Sequence, residues 1–214
     1  MAMLLMAEFV PGPAAWADAP DNWLGELMGE LAAIPERHER FGETKYLAVL
    51  NQPLVSQGWL NYRRPAHLEK ITTAPQAESL LVDGDRLTLT ERSGSPQTLM
   101  LASHPEITAL VDAVRGTLSG DLPELERHYR VVASGGLSAW RLVLWPADRR
   151  VQELLRDIVF EGTATQLRSV RTDQTNGDTQ IMTVEPAFSV RPAPPPVASA
   201  VAPRSERSQG RRPH

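Results

Sequence analysis

The 214-residue sequence contains no cysteine. That excludes disulfides, thiolate metal sites and a thiol nucleophile, and leaves no residue to carry an N-terminal thioether lipid. Long apolar runs are absent too: none approaches the ~20 residues that a transmembrane helix needs. There is no cationic excess. The net charge of −4 gives no sign of a nucleic-acid binder. The five histidines, His38, His67, His104, His128 and His214, include no pair at metal-ligand spacing. No serine lies in G-x-S-x-G, and Gly135-Gly136-Leu137-Ser138 reads as a turn without a following helix. The acidic residues Asp83, Asp85, Asp121 and Asp178 fall at caps and turns, where structural roles account for them. A carboxylate pair assembled only in three dimensions stays open at this level. The expectation is a protein that is not an enzyme and uses no metal or cofactor.

What is present fits a soluble domain between two tails. The chain is 42% hydrophobic and 22% charged, with enough length for one sizeable core. Residues 1–17 read as a truncated signal peptide: a short apolar run, a Pro-Gly break, then Ala15-Trp16-Ala17 before the cut. The basic n-region is missing and Glu8 interrupts the apolar run. Residues 187–214 are rich in Pro, Ala, Ser and Arg, a composition expected to stay disordered. They hold five Arg and one Glu, a net +4, which leaves −8 for the remainder. The folded domain is expected over 18–186.

Within it, periodicity predicts a helix over 21–34 with Trp23, Leu27, Leu31 and Ile34 on one face, capped by Asp21 and followed by Pro35. A strand is expected from 41, its end marked by Asn51-Gln52-Pro53, and further strands at 56–63, 66–73, 78–83, 86–91 and 97–102, with turns at Asp83-Gly84-Asp85 and Ser93-Gly94-Ser95. Ser103-His104-Pro105-Glu106 reads as a capping box. The helix after it, 104–118, places Ile107, Leu110, Val111, Val114 and Leu118 on one stripe. Asp121 caps a further one-turn helix. Strands resume at 127–133, 138–145, 157–164, 166–173 and 179–184, the last two joined through Asn176-Gly177. A meander of this spacing is mainly β (α+β): a curved, mainly antiparallel sheet that curls toward a barrel, with helices lying on or across it.

The order Gln57-Gly58-x-Leu60, Arg64-Pro65, Leu68, Pro75, Glu78-Ser79 and Leu81-Val82-Asp83-Gly84 resembles the LolA family of periplasmic lipoprotein carriers. Upstream, Leu31-Ala-Ala-Ile34, Phe41 and Lys45 match that family's first helix and first strand. The resemblance is good over about 21–105 and topological to 184. LVDGDRLTL, VRGTLSGDL and NGDTQIMTV are similar to a divergent subgroup found with aryl-polyene and lipid gene sets.

The resemblance implies a half-open curved antiparallel barrel with a helical lid, and a cavity for acyl chains walled by Leu60, Tyr62, Leu68, Leu80, Val82, Leu87 and Leu89 and covered by Ile107, Leu110, Val111 and Val114. It implies that Arg64, the Arg of the R-P pair, hydrogen-bonds the lid, with Arg63 as the one-residue register alternative. Glu69-Lys70 and Leu87-Thr88-Leu89 stand where the family has aromatics, which makes the wall more aliphatic. The implied role is a monomeric periplasmic carrier and chaperone. It would bind a lipidated protein or lipid ligand and move it toward the outer membrane, from an inner-membrane exporter to an outer-membrane acceptor. Lack of cysteine argues against a LolB-like anchored receptor. The alternative is an envelope adaptor or sensor with the same fold and a cavity filled by its own side chains.

Overall fold

The computed structural model describes residues 22–92 and 94–186. The signal-peptide segment, the Pro/Arg-rich tail, the Asp21 cap and Ser93 lie outside the described residues. The order of elements is α1 (Trp23–Ala32), β1 (Glu36–Tyr46), β2 (Leu54–Arg63), β3 (His67–Ala74), β4 (Glu78–Asp83), β5 (Arg86–Glu91) and β6 (Gln97–Met100), then α2 (Pro105–Ser119) and α3 (Leu122–His128), then β7 (Tyr129–Gly136), β8 (Ala139–Pro146), α4 (Arg149–Gln152), β9 (Leu155–Thr163), β10 (Gln166–Gln174) and β11 (Thr179–Pro186).

All eleven strands form one antiparallel sheet in the order β6-β5-β4-β3-β2-β1-β11-β10-β9-β8-β7. Two meanders, β1–β6 and β7–β11, are zipped together where β1 pairs with β11. The sheet is curved and unclosed, with β6 and β7 as its edges. Side chains alternate between its faces. The concave face of β8 and β9 carries Leu142, Leu144, Ile158 and Phe160, which pack in one cluster with α1 residues Leu27 and Leu31 and α3 residue Leu125. α2 also packs in this core, through Ala109, Ala113 and Leu118. Val111 of α2 belongs instead to a smaller cluster with Val82, Leu87 and Leu101.

α2 ends at Gly120, whose φ of 67° is left-handed. A Cβ there would come within 2.0 Å of the Met28 carbonyl oxygen, so only glycine lets α2 stop against α1. At Gly58 a Cβ would lie 1.8 Å from the Ile71 carbonyl oxygen. The bareness of this position permits the register shift beside it between β2 and β3.

Several boundaries differ from the expected ones. The first strand begins at Glu36 rather than 41 and ends at Tyr46. Its charged start, ERHERF, alternates like a strand, but with charge on both faces. The strand expected over 97–102 stops at Met100, and Leu101–Ser103 forms a 3₁₀ turn. The Ser103 capping box does not form. His104 is the N-cap and makes no side-chain cap bond, and Pro105 opens the helix. Thr108 Oγ1 holds this turn instead, donating to the Leu101 and His104 carbonyls at 2.6 and 3.0 Å. Asp121 does cap its helix, accepting from Glu124 N at 3.0 Å, and that helix runs two turns rather than one. α4, capped by Asp148, has no counterpart in the sequence reading. No helix among the described residues is long and apolar enough to cross a membrane.

Candidate functional site

Between α2 and the concave face lies a cavity of about 550 Å³, within the range that holds a small apolar ligand. α2 contributes Ile107, Leu110, Val111, Val114 and Leu118; the opposite wall contributes Leu60, Tyr62, Leu68 and Leu80. The strand period explains the wall. Cross-strand neighbours Tyr62 and Leu68, and Lys70 and Leu80, all face inward, while Trp59 points to the convex face. There its ring stacks on His38 at a centroid distance of 4.7 Å.

Three wall residues expected from the resemblance do not line this cavity. Val82 and Leu87 are fully buried in the small cluster beside Val111. They fill the space beneath α2 where β4 and β5 turn. Leu89, farther along β5, is half-buried and outside the cavity lining.

Arg64 is also outside it. Its guanidinium donates to the Ala32 carbonyl oxygen at the C-terminal end of α1, so it makes the helix-end bond expected of it, but caps α1 and not α2. Arg115 ties α2 to the sheet on one flank. Its Nη2 donates to the Gly84 carbonyl at 2.9 Å and to the Ala66 carbonyl, in the turns β4–β5 and β2–β3. On the other side Tyr129 Oη of β7 donates to the Ala109 carbonyl of α2, and burial pushes the Tyr129 phenol well above its ordinary value. α2 is therefore strapped from both flanks.

The sequence reading missed the polar part of the wall. On β1 the inward positions are Arg37, Glu39, Phe41, Glu43 and Lys45, and of these Arg37, Glu39 and Lys45 line the cavity. Strict alternation from the exposed His38 and Arg40 was the signal available for them. Arg37 Nη1 lies 3.6 Å from Glu39 Oε1, and Gln166 Nε2 donates to the same oxygen at 3.1 Å. Burial pushes the Glu39 carboxyl up, against the pull of Arg37 and Gln166. Glu43, 2% exposed, accepts from Lys70 Nζ at 2.7 and 2.8 Å, from Gln180 Nε2 at 2.6 Å and from Ser56 Oγ at 3.0 Å. Burial would raise Glu43, but Lys70, Lys45 and Ser56 hold it below its ordinary value. Glu43 is thus fully paired, while Arg37 faces Glu39 with its Nε and Nη2 buried and without a hydrogen-bond partner among the described residues. β10 and β11 close the remaining side with Leu167, Val170, Thr172 and Met182.

One end of the cavity is set by the β10–β11 turn and the segment after α4, through Thr175, Asn176, Glu153 and Leu154. No group of three or more metal-ligating side chains occurs among the described residues.

A curved, unclosed antiparallel sheet that holds a helix across its concave face, with a chamber between them, is a half-barrel fold. The chain belongs to the family described as outer membrane lipoprotein carrier protein LolA-like, whose model matches residues 15–192. Among solved structures, it is similar to a LolA superfamily protein from Nitrosomonas europaea (12% identity, TM-score 0.42, 76% of this chain and 91% of that one). It is also similar to a domain named for outer membrane lipoprotein sorting from Vibrio parahaemolyticus (8%, TM-score 0.43, 75% and 88%). A third is a chain of the Pseudomonas aeruginosa MucA/MucB complex (13%, TM-score 0.38, 76% and 54%). No curated protein matches the sequence.

Proposed function

We propose that this protein is a periplasmic, non-enzymatic carrier that takes acyl chains of a lipidated protein, or of another lipid-like ligand, into the cavity beneath α2. It would pass them toward the outer membrane, from a membrane exporter to an acceptor. The observation that carries this reading is the cavity itself. Its walls are largely aliphatic, its buried carboxylates face cations, Glu39 beside Arg37 and Glu43 beside Lys70, and its roof is a helix held by side-chain hydrogen bonds. Burial at about 25 cal/mol per Å² suffices to hold an acyl chain without catalytic groups. The adaptor reading requires a chamber filled by the protein's own side chains, and the open volume of about 550 Å³ favours the carrier. Native mass spectrometry of the protein purified from envelope extract, without detergent exchange, tests it. A lipid adduct released on activation is expected. Apo protein alone, together with no uptake of a fluorescent acyl probe, would sink the carrier reading.

A further inference from the structure

The exposed apolar side chains are concentrated in one place. Of the nine large apolar residues exposed among the described residues, Tyr46, Val49, Leu50, Leu54 and Val55 all lie on the β1–β2 hairpin, and Val49 is 89% exposed. No charged residue occurs between Lys45 and Arg63. The apolar groups point both ways. Leu54 pairs with the inward Lys45, and Val55 with the outward Thr44. Tyr46 is outward by alternation, and Val49 and Leu50 form the tip beyond the last ladder pair. A groove on a protein partner covers one face of a hairpin. Apolar side chains on both faces and at the tip fit a medium that surrounds them, which is the boundary layer of a bilayer.

The hairpin stands beside the cavity. Ala48 N donates to Asp178 Oδ1 at 2.8 Å, and Thr175 N donates to the Leu154 carbonyl at 3.1 Å. Thr175, Asn176 and Leu154 line the cavity, and Leu154, 43% exposed, extends the apolar patch to its rim. Leu50 N is bonded to the Leu47 carbonyl at 2.9 Å. Together with the Asp178 bond, this reduces the cost of a shallow insertion of the tip. Tyr46 lies at the base, where an aromatic ring meets headgroups.

We propose that the hairpin 46–55 seats the protein on a lipid surface and places the adjacent end of the cavity against it, so that an acyl ligand moves between bilayer and cavity without crossing bulk water. The transfer step rests on the carrier reading; the seating does not. The test is flotation of the full chain with phosphatidylcholine vesicles, whose neutral surface minimises any contribution from the five arginines of 187–214. Wild type should float with the vesicles, and Val49→Asp/Leu50→Asp should partition at least about tenfold less. In parallel, a tryptophan introduced by Val49→Trp should be quenched by brominated acyl chains, a readout that does not depend on how the acidic variant folds. Failure of wild type to float, equal partition of both proteins, or an unquenched Trp at 49 overturns the seating. Uptake of a soluble acyl probe should persist in the acidic variant. Its absence in wild type as well would count against the carrier reading and leave the seating to the vesicle result.

Discussion

The two halves of the sheet treat their concave faces differently. In β8 and β9, Leu142, Leu144, Ile158 and Phe160 are completely buried and packed under α1, α2 and α3. In β1 to β4 the same face interleaves Leu60, Tyr62, Leu68 and Leu80 with Arg37, Glu39, Glu43, Lys45 and Lys70, and the cavity lies there. Apolar residues alone let helices settle onto the sheet until no void remains. Charges that must stay paired do not tolerate that contact, so α2 spans the polar half rather than filling it. The solid half supplies stability and the polar half supplies room.

The largest blow to this division should come from the solid half. Phe160→Ala leaves a void amid completely buried neighbours and should cost about 3–5 kcal/mol, measured by urea unfolding. Acyl-probe affinity per folded molecule should hardly change. A loss of affinity with little loss of stability would mean that the two halves are not separate in role.

The paired charges come next. Glu43→Gln leaves Lys70 buried without its carboxylate and should cost roughly 3 kcal/mol. Glu43→Leu combined with Lys70→Leu should recover much of that. Acid separates the two carboxylates by sign. Glu43 titrates below its ordinary value in the fold, so its contribution is complete above the unfolded value and is lost as pH falls through the folded one. Glu39 titrates above its ordinary value of 4.5. The fold therefore binds that proton more tightly, and the Glu39 contribution declines as pH rises from 4.5 through the raised value. Stability-against-pH curves should flatten on the acid side in Glu43→Gln and lose the opposite slope in Glu39→Gln. Identical curves for the two variants would contradict these assignments.

A smaller effect is expected at the roof. Leu110 is half-buried and lines an existing void, so Leu110→Ala should cost no more than about 1 kcal/mol, below the usual core range. It should instead enlarge the chamber and admit bulkier acyl probes. A cost equal to that of Phe160→Ala would show that the roof is core.

The strands and the α2 stripe were legible in the sequence because each rests on one local period, two or 3.6 residues. The cavity wall was legible as far as that period met apolar residues, as at Leu60, Leu68 and Leu110. Arg37, Glu39 and Lys45 escaped because charge on a strand reads as an exposed face, and only the pairing of β1 with both β2 and β11 buries them. Val82 and Leu87 share the inward parity of the wall residues. Their separation from the cavity depends on where α2 crosses, which strand alternation does not encode. The R-P motif points to an arginine that bonds a helix end, as Arg64 does at Ala32, but not to which helix it reaches.

Arg64 carries the smallest and most diagnostic of the expected effects. Its bond runs to the Ala32 carbonyl at the end of α1, where a cation also complements the helix dipole. α1 is anchored independently by Leu27 and Leu31, both buried. Arg64→Leu should therefore shift the thermal midpoint only slightly and leave acyl-probe exchange near wild type. Arg115 reaches from α2 to two turns of the sheet, at Gly84 and Ala66. Arg115→Leu removes both bonds, worth about 1.5–3 kcal/mol each when charge-assisted and less where solvent reaches them. It should speed probe exchange several-fold by freeing one flank of α2 while the Tyr129 strap remains. Arg63, exposed and paired across to Glu36, serves as the silent control. Stopped-flow release of the probe from the three variants decides between the arginines. Faster release from Arg64→Leu than from Arg115→Leu would return the latch to the R-P motif and make α1, rather than α2, the element that moves.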